Sequence, residues 1–195
     1  DIVTKMVITY PFEDESLKGI QIIDSPGVNA QGRVGDITNE YIENANAIMF
    51  LKPITGAALE STSFRNFLDS KSVERNGNAL FLILTRAANE NPENLERLQH
   101  EALKLYGNTI NTSQIIAVDS KVELFINKIS NMTVDEIESY LDELDAKGRL
   151  DAFITPPRSM RILNKEKYIE FLGTKSNFSA VDHVINIFGR KTHYI

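Results

Sequence analysis

Three short apolar runs, Ala47 to Leu51, Ala79 to Leu84 and Gln114 to Val118, constrain this chain more than any other feature. The second ends in Thr85-Arg86 and the third in Asp119-Ser120-Lys121, so polar residues gather at one end of each. Between them Asn91-Pro92 supplies a capping residue and a first-turn proline. Leu95, Leu98, Ala102 and Leu105 then recur at helical spacing until Gly107 stops them. Apolar runs alternating with helical patterns predict an α/β fold, a mostly parallel sheet flanked by helices. Its ligand-binding edge lies where the strands end.

The two ends of the chain read differently from this centre. Asp1 to Pro11 and Gly19 to Asp24 read as strands joined by the acidic connector Phe12 to Lys18. That connector is short for a crossover helix, so the pair is expected to be antiparallel at a sheet edge. After Lys121 the pattern is nearly all helical: Val122 to Ser130, Thr133 to Lys147, about Asn164 to Leu172 and about Phe178 to Phe188. Thr133-Val134-Asp135-Glu136 is a capping box, and Ile137, Tyr140, Leu141 and Leu144 form a stripe that stops near Gly148. Val181, Val184, Ile185 and Phe188 make Ser179 to Phe188 the expected last helix on the sheet, and Pro156-Pro157 breaks the segment before it.

The segment Ile20 to Val28, Ile-Gln-Ile-Ile-Asp-Ser-Pro-Gly-Val, carries the most chemistry. A carboxylate at a strand end can hold magnesium through water, and a glycine three residues on lets a backbone N–H approach a terminal phosphate. Asp24 and Gly27 stand at that spacing. Asp-x-Pro-Gly is also a common turn, because Pro presets φ and Gly accepts positive φ.

With these features in this order, the sequence resembles the dynamin-like large GTPases from about Val3 to about Val122, with a looser match in the C-terminal helices. Asp24 to Gly27 looks like the third nucleotide-binding motif. Thr85-Arg86-Ala87-Ala88 sits where the base-reading Thr/Asn-Lys-x-Asp motif belongs, and Val118-Asp119-Ser120-Lys121 where Ser-Ala-Lys belongs. Ala45 to Leu68 looks like that family's strand and following helix. The resemblance implies a GTP-binding site in which Asp24 holds magnesium through water, Gly27 senses the γ-phosphate, and Thr85, Arg86, Asn89, Ser120 and Lys121 line the base and ribose. It also implies a sheet-forming core over residues 1–122, a helical insertion over 123–163 and closing helices over 164–195 that lead toward a stalk. Asn29 to Thr38, with Gly32 and Gly35, would be a mobile second switch region. A plain surface loop accounts for the same residues.

Two departures qualify this. No Gly-x-x-x-x-Gly-Lys-Ser/Thr occurs; Gly27 and Gly32 have the separation, but Arg33-Val34 replace the Lys and the Ser/Thr. The resemblance therefore implies that the phosphate loop and the catalytic first switch lie upstream of Asp1. These residues are then part of a GTPase domain that holds no catalytic residue and is a poor enzyme alone; Thr4 reads as a strand residue, not a switch threonine. The second departure is Ala88. Guanine selection normally rests on a carboxylate accepting from the base N1–H and exocyclic amine. Ala88 stands at that position, with Asn89 and Glu90 next in line. Arg86 retains a planar cation that could stack on a purine.

Composition narrows the partners. A net charge of -6 opposes a nucleic-acid-binding surface, and the absence of Cys excludes disulfides and thiolate metal sites. The expected setting is cytoplasmic or peripheral to a membrane, with self-association and contact with membrane lipid through other regions implied by the resemblance. His100, His183 and His193 lack metal-ligand spacing. Asp142, Glu143 and Asp145 read as a solvated helix face. Arg158, Arg161, Lys165 and Lys167 form a basic stretch that a solvated loop or an anionic partner would explain. The rival readings are a non-hydrolysing GTPase-like interaction scaffold with degenerate base recognition, and a site for a nucleotide other than GTP.

Overall fold

The structure, a computed structural model, describes residues 20–24, 45–54, 65, 68, 79–160 and 162–192. Among these, Ile48–Pro53 (β1), Leu80–Thr85 (β2) and Ile115–Ala117 (β3) form one parallel sheet in the order β1-β2-β3. Helix Pro92–Tyr106 (α1) links β2 to β3. It is followed by Ser120–Ile129 (α2), Val134–Ala146 (α3), Lys165–Ser176 (α4) and Phe178–Thr192 (α5). The expected α/β class and parallel pairing are thus present.

β2 is central because Leu80, Phe81, Leu82, Ile83 and Leu84 are all buried, and a strand covered on both faces needs apolar residues at every position. On one face Leu80, Leu82, Leu84, Ile115 and Ala117 meet Leu98, Ala102 and Tyr106 of α1. On the other, Phe81, Ile83, Ile116 and Val118 meet Val184 of α5, with Phe178, Ala180 and Val181 beside it. The stripe Val181, Val184, Ile185 therefore does what its spacing predicts at Val181 and Val184. Helix α5 continues past Phe188 to Thr192.

Helices α2, α3 and α4 build a separate apolar cluster from Val122, Phe125, Ile126, Ile129, Ile137, Leu141, Tyr168 and Leu172, closed by Ile154 and Leu163 from the intervening loop. Phe125 stacks on Tyr140 at 6.0 Å between centroids and meets Tyr168 edge-on at 6.4 Å. Such ring pairs contribute about 0.5–1.5 kcal/mol each beyond buried area. The capping box at Thr133 and Glu136 forms as read. Lys165 Nζ donates to the carbonyls of Ser130 and Met132, both at 2.7 Å, where the exposed carbonyls at the end of α2 welcome a cation. The basic stretch thus loses one of its charges to an internal bond.

The antiparallel edge pair has no counterpart among the described residues. Residues 20–24 carry no strand, and Ile22 is 72 % exposed. Its partner Asp1 to Pro11, the connector, Thr4, Gly27, Asn29 to Thr38 with its glycines, Arg161, His193 and most of the expected helix through Leu68 lie outside the described residues. Among described residues no helix is long and apolar enough to cross a membrane.

Candidate functional site

The strand register brings three chain segments level at one edge: Pro53 pairs with Thr85, and Leu84 with Ala117. Ile54 N–H donates to Thr85 O at 2.9 Å and Val118 N–H to Leu84 O at 2.8 Å, so the ladder runs just past the strands. This is the edge at which open parallel sheets bind ligands.

Two loops dominate it. After half-buried Thr85, Arg86 adopts left-handed backbone at φ 65° and ψ 33°, with its side chain exposed. A non-glycine residue there costs roughly 1–2 kcal/mol, strain of the sort that concentrates at functional sites. The chain then tightens into a 3₁₀ turn, Ala87–Asn89. Ala87 N–H donates to Val118 O at 3.1 Å, and Ala88 N–H to Asp119 Oδ2 at 3.2 Å. The other oxygen of Asp119 caps α2, accepting from Lys121 N–H at 3.0 Å and Val122 N–H at 3.2 Å. One carboxylate, 3 % exposed, therefore ends β3, starts α2 and ties down the loop after β2.

Ala88 is half-buried against the α2–α3–α4 cluster, the same cluster that Leu150 and Phe153 contact. A carboxylate at position 88 would face that apolar surface, which gives a physical reason for the alanine. Asn89 is exposed, and its N–H donates to Arg86 O at 3.4 Å. Glu90, the other nearby substitute, accepts from Asn94 Nδ2 and supports the start of α1. Ser120 and Lys121 are exposed at the start of α2. The Lys121 ammonium lies 2.6 Å from Asp151 Oδ2 and 5.7 Å from the centroid of Phe153.

The far side of the edge is held from the C-terminal helices. Asp119 N–H donates to Ser176 O at 2.9 Å, and Asn177 Nδ2 to Ala117 O at 2.9 Å. Asn177 is left-handed at φ 51°, a conformation asparagine tolerates, and it separates α4 from α5. Lys52 occupies the end of β1. It is 8 % exposed, has no hydrogen-bond or ion-pair partner among the described residues, and burial pushes its ammonium below the usual lysine range.

Thr85, Arg86, Asn89, Ser120 and Lys121 thus share one edge of the sheet, while Gly27 lies outside the described residues. Asp24 is exposed. A lone hard carboxylate suits magnesium, which keeps most of its waters and takes its remaining ligands from substrate phosphates. Among the described residues no cluster of three or more His, Cys, Asp or Glu side chains could hold a metal by itself. The sequence reading missed Asp151, Phe153 and Asn177 as parts of this edge. Compared with known proteins, the chain matches no family model, no curated protein and no solved structure.

Proposed function

We propose that this chain forms the base-binding side of a GTPase domain similar to those of the dynamin-like large GTPases, and that the whole domain binds GTP with magnesium and hydrolyses it by attack of water on the γ-phosphate. The observation that carries the reading is the linkage of the two loops at the ligand edge, Ala87 N–H to Val118 O and Ala88 N–H to Asp119. It fixes Arg86 and Lys121, both exposed, on one rim. In this reading Asp24 holds magnesium through water and Gly27 approaches the γ-phosphate. Thr85, Arg86, Asn89, Ser120 and Lys121 contact base and ribose. Self-association of the domain, coupled to membrane remodelling, follows from the same resemblance.

Calorimetry with magnesium tests this, using GTP and ATP on the 195-residue chain and on the protein carrying whatever natural sequence precedes Asp1. The reading requires that the longer protein bind and prefer GTP. If neither binds any nucleotide, it fails.

A second reading, a non-hydrolysing scaffold, is favoured by one observation: Ala88 packs on the helical cluster, and the nearest buried carboxylate, Asp119, is consumed by backbone donors. Asp24→Ala separates the two readings. In the full-length protein it abolishes hydrolysis if the enzyme reading holds, and leaves self-association unchanged if the scaffold reading holds.

A further inference from the structure

A guanine base presents N1–H and a 2-amine that a carboxylate can accept from, a role Ala88 cannot take, and among the described residues the carboxylates along the rim can be sorted by what already occupies them. Asp119 is buried and accepts from Ala88, Lys121 and Val122 N–H groups. Glu90 accepts from Asn94, and Glu123 accepts from Ser176 Oγ at 2.7 Å on the side of the α4–α5 junction. Asp151 differs from all of these. Its Oδ2 pairs with Lys121, while Oδ1 has no partner among the described residues. Its side chain is 33 % exposed.

Its backbone is also fixed. The carbonyl of Asp151 accepts from Ile154 N–H at 3.1 Å and from Thr155 Oγ1 at 3.2 Å, so the residue opens a tight turn anchored by buried Ile154. Phe153, in the same turn, is half-buried beneath the Lys121 ammonium. The loop between α3 and α4 therefore delivers a carboxylate and a flat ring to the residue that the base-side motif places on the rim.

We infer that Asp151, brought in by the loop between α3 and α4, is the carboxylate that reads the donor edge of the nucleobase, accepting from N1–H and the exocyclic 2-amine of guanine. This rests on the proposed nucleotide-binding function. Lys121 orients the carboxylate, and Ala88 makes room by packing on the cluster that carries the loop. Loss of a charge-assisted pair of this type weakens binding by roughly tenfold or more.

The test measures dissociation constants for GTP, ITP and XTP with magnesium by calorimetry on the natural full-length protein and its Asp151→Asn and Asp151→Ala variants. The wild type is expected to prefer GTP over ITP, which lacks the 2-amine. Asp151→Ala should erase that preference. Asp151→Asn should weaken GTP and strengthen XTP, because the new amide donor meets the 2-oxo group of xanthine. A gain for XTP cannot arise from misfolding. If GTP binds the wild type and the GTP to XTP ratio is unchanged in Asp151→Asn, the assignment of Asp151 is overturned while nucleotide binding stands. If the wild type binds none of the three, both fall together.

Discussion

Asp119 is the residue whose removal separates the two jobs this edge performs. Its Oδ1 caps α2 and its Oδ2 holds Ala88 N–H, so Asp119→Asn keeps one function and opposes the other. With the amide oxygen toward the helix, the new NH₂ faces the Ala88 donor; flipped, it faces the two N–H groups of α2. Either way a backbone donor loses its acceptor, at a cost of about 1–3 kcal/mol. Asp119→Ala loses both sets, and adding about 1 kcal/mol for the cap brings its cost to about 2–4 kcal/mol. Asp119→Ser is too short to reach Ala88 but retains a capping oxygen, so it should fall beside Asn. Urea denaturation followed by circular dichroism gives the comparison, provided the dependence on denaturant keeps the same slope. An Asp119→Asn protein within about 0.5 kcal/mol of wild type would show that the cross-loop bond contributes nothing, and the reasoning would be wrong.

Asn177→Gly should lose only the bond to Ala117 O, about 1 kcal/mol, whereas Asn177→Ala adds the left-handed backbone penalty of roughly 1 kcal/mol more; chemical denaturation of both variants measures the gap. Burial pushes the Tyr168 hydroxyl, which donates to Ile154 O, well above the usual phenol range. The folded state therefore holds its proton more tightly than the unfolded chain does. This stabilisation is complete below pH about 10 and is lost as pH rises beyond it, and unfolding free energies from pH 8 to 11 should show the fall reduced in Tyr168→Phe. Lys52 runs the other way. Its lowered pKa means the unfolded state binds the extra proton, so wild-type stability gains as pH climbs toward the ordinary lysine value. Lys52→Met should stabilise the protein at pH 7, with an advantage that shrinks toward pH 10; an advantage that grows would contradict the burial of the ammonium.

Periodicity made most of the described fold legible. The Leu95, Leu98, Ala102 spacing gives α1 to within a residue or two, and the unbroken apolar run at Leu80 to Leu84 marks a strand covered on both faces. The polar residues that follow β2 and β3 do come together at one edge of the sheet, as their places at the strand ends implied. What remained hidden depends on distance along the chain. Asp119 reads as a capping residue because its partners on α2 are neighbours, but its bond to Ala88 crosses 31 positions. Asn177 carries no signal of its own in the sequence, since nothing local shows that its amide is directed at β3 from 60 residues away. Asp151 lies in a loop with no motif, and its meeting with Lys121 follows from how α2 and α4 pack. Ala88 departs from the motif the resemblance implies, and its half-buried packing against the helical cluster gives a physical reason for a small apolar side chain there.

The Ser176–Asn177 junction has a consequence for how the protein is made. Because, among the described residues, Asp119 N–H and Ala117 O find their partners there, the end of β3 lacks them on a growing chain until the ribosome has released α4 and the residues that start α5. During that interval the candidate site has its sequence but not its walls. An exposed strand end of this sort invites pairing with another nascent chain. Truncations that stop before Ser176 should therefore be recovered mainly as aggregates, while those that stop after α5 remain dispersed.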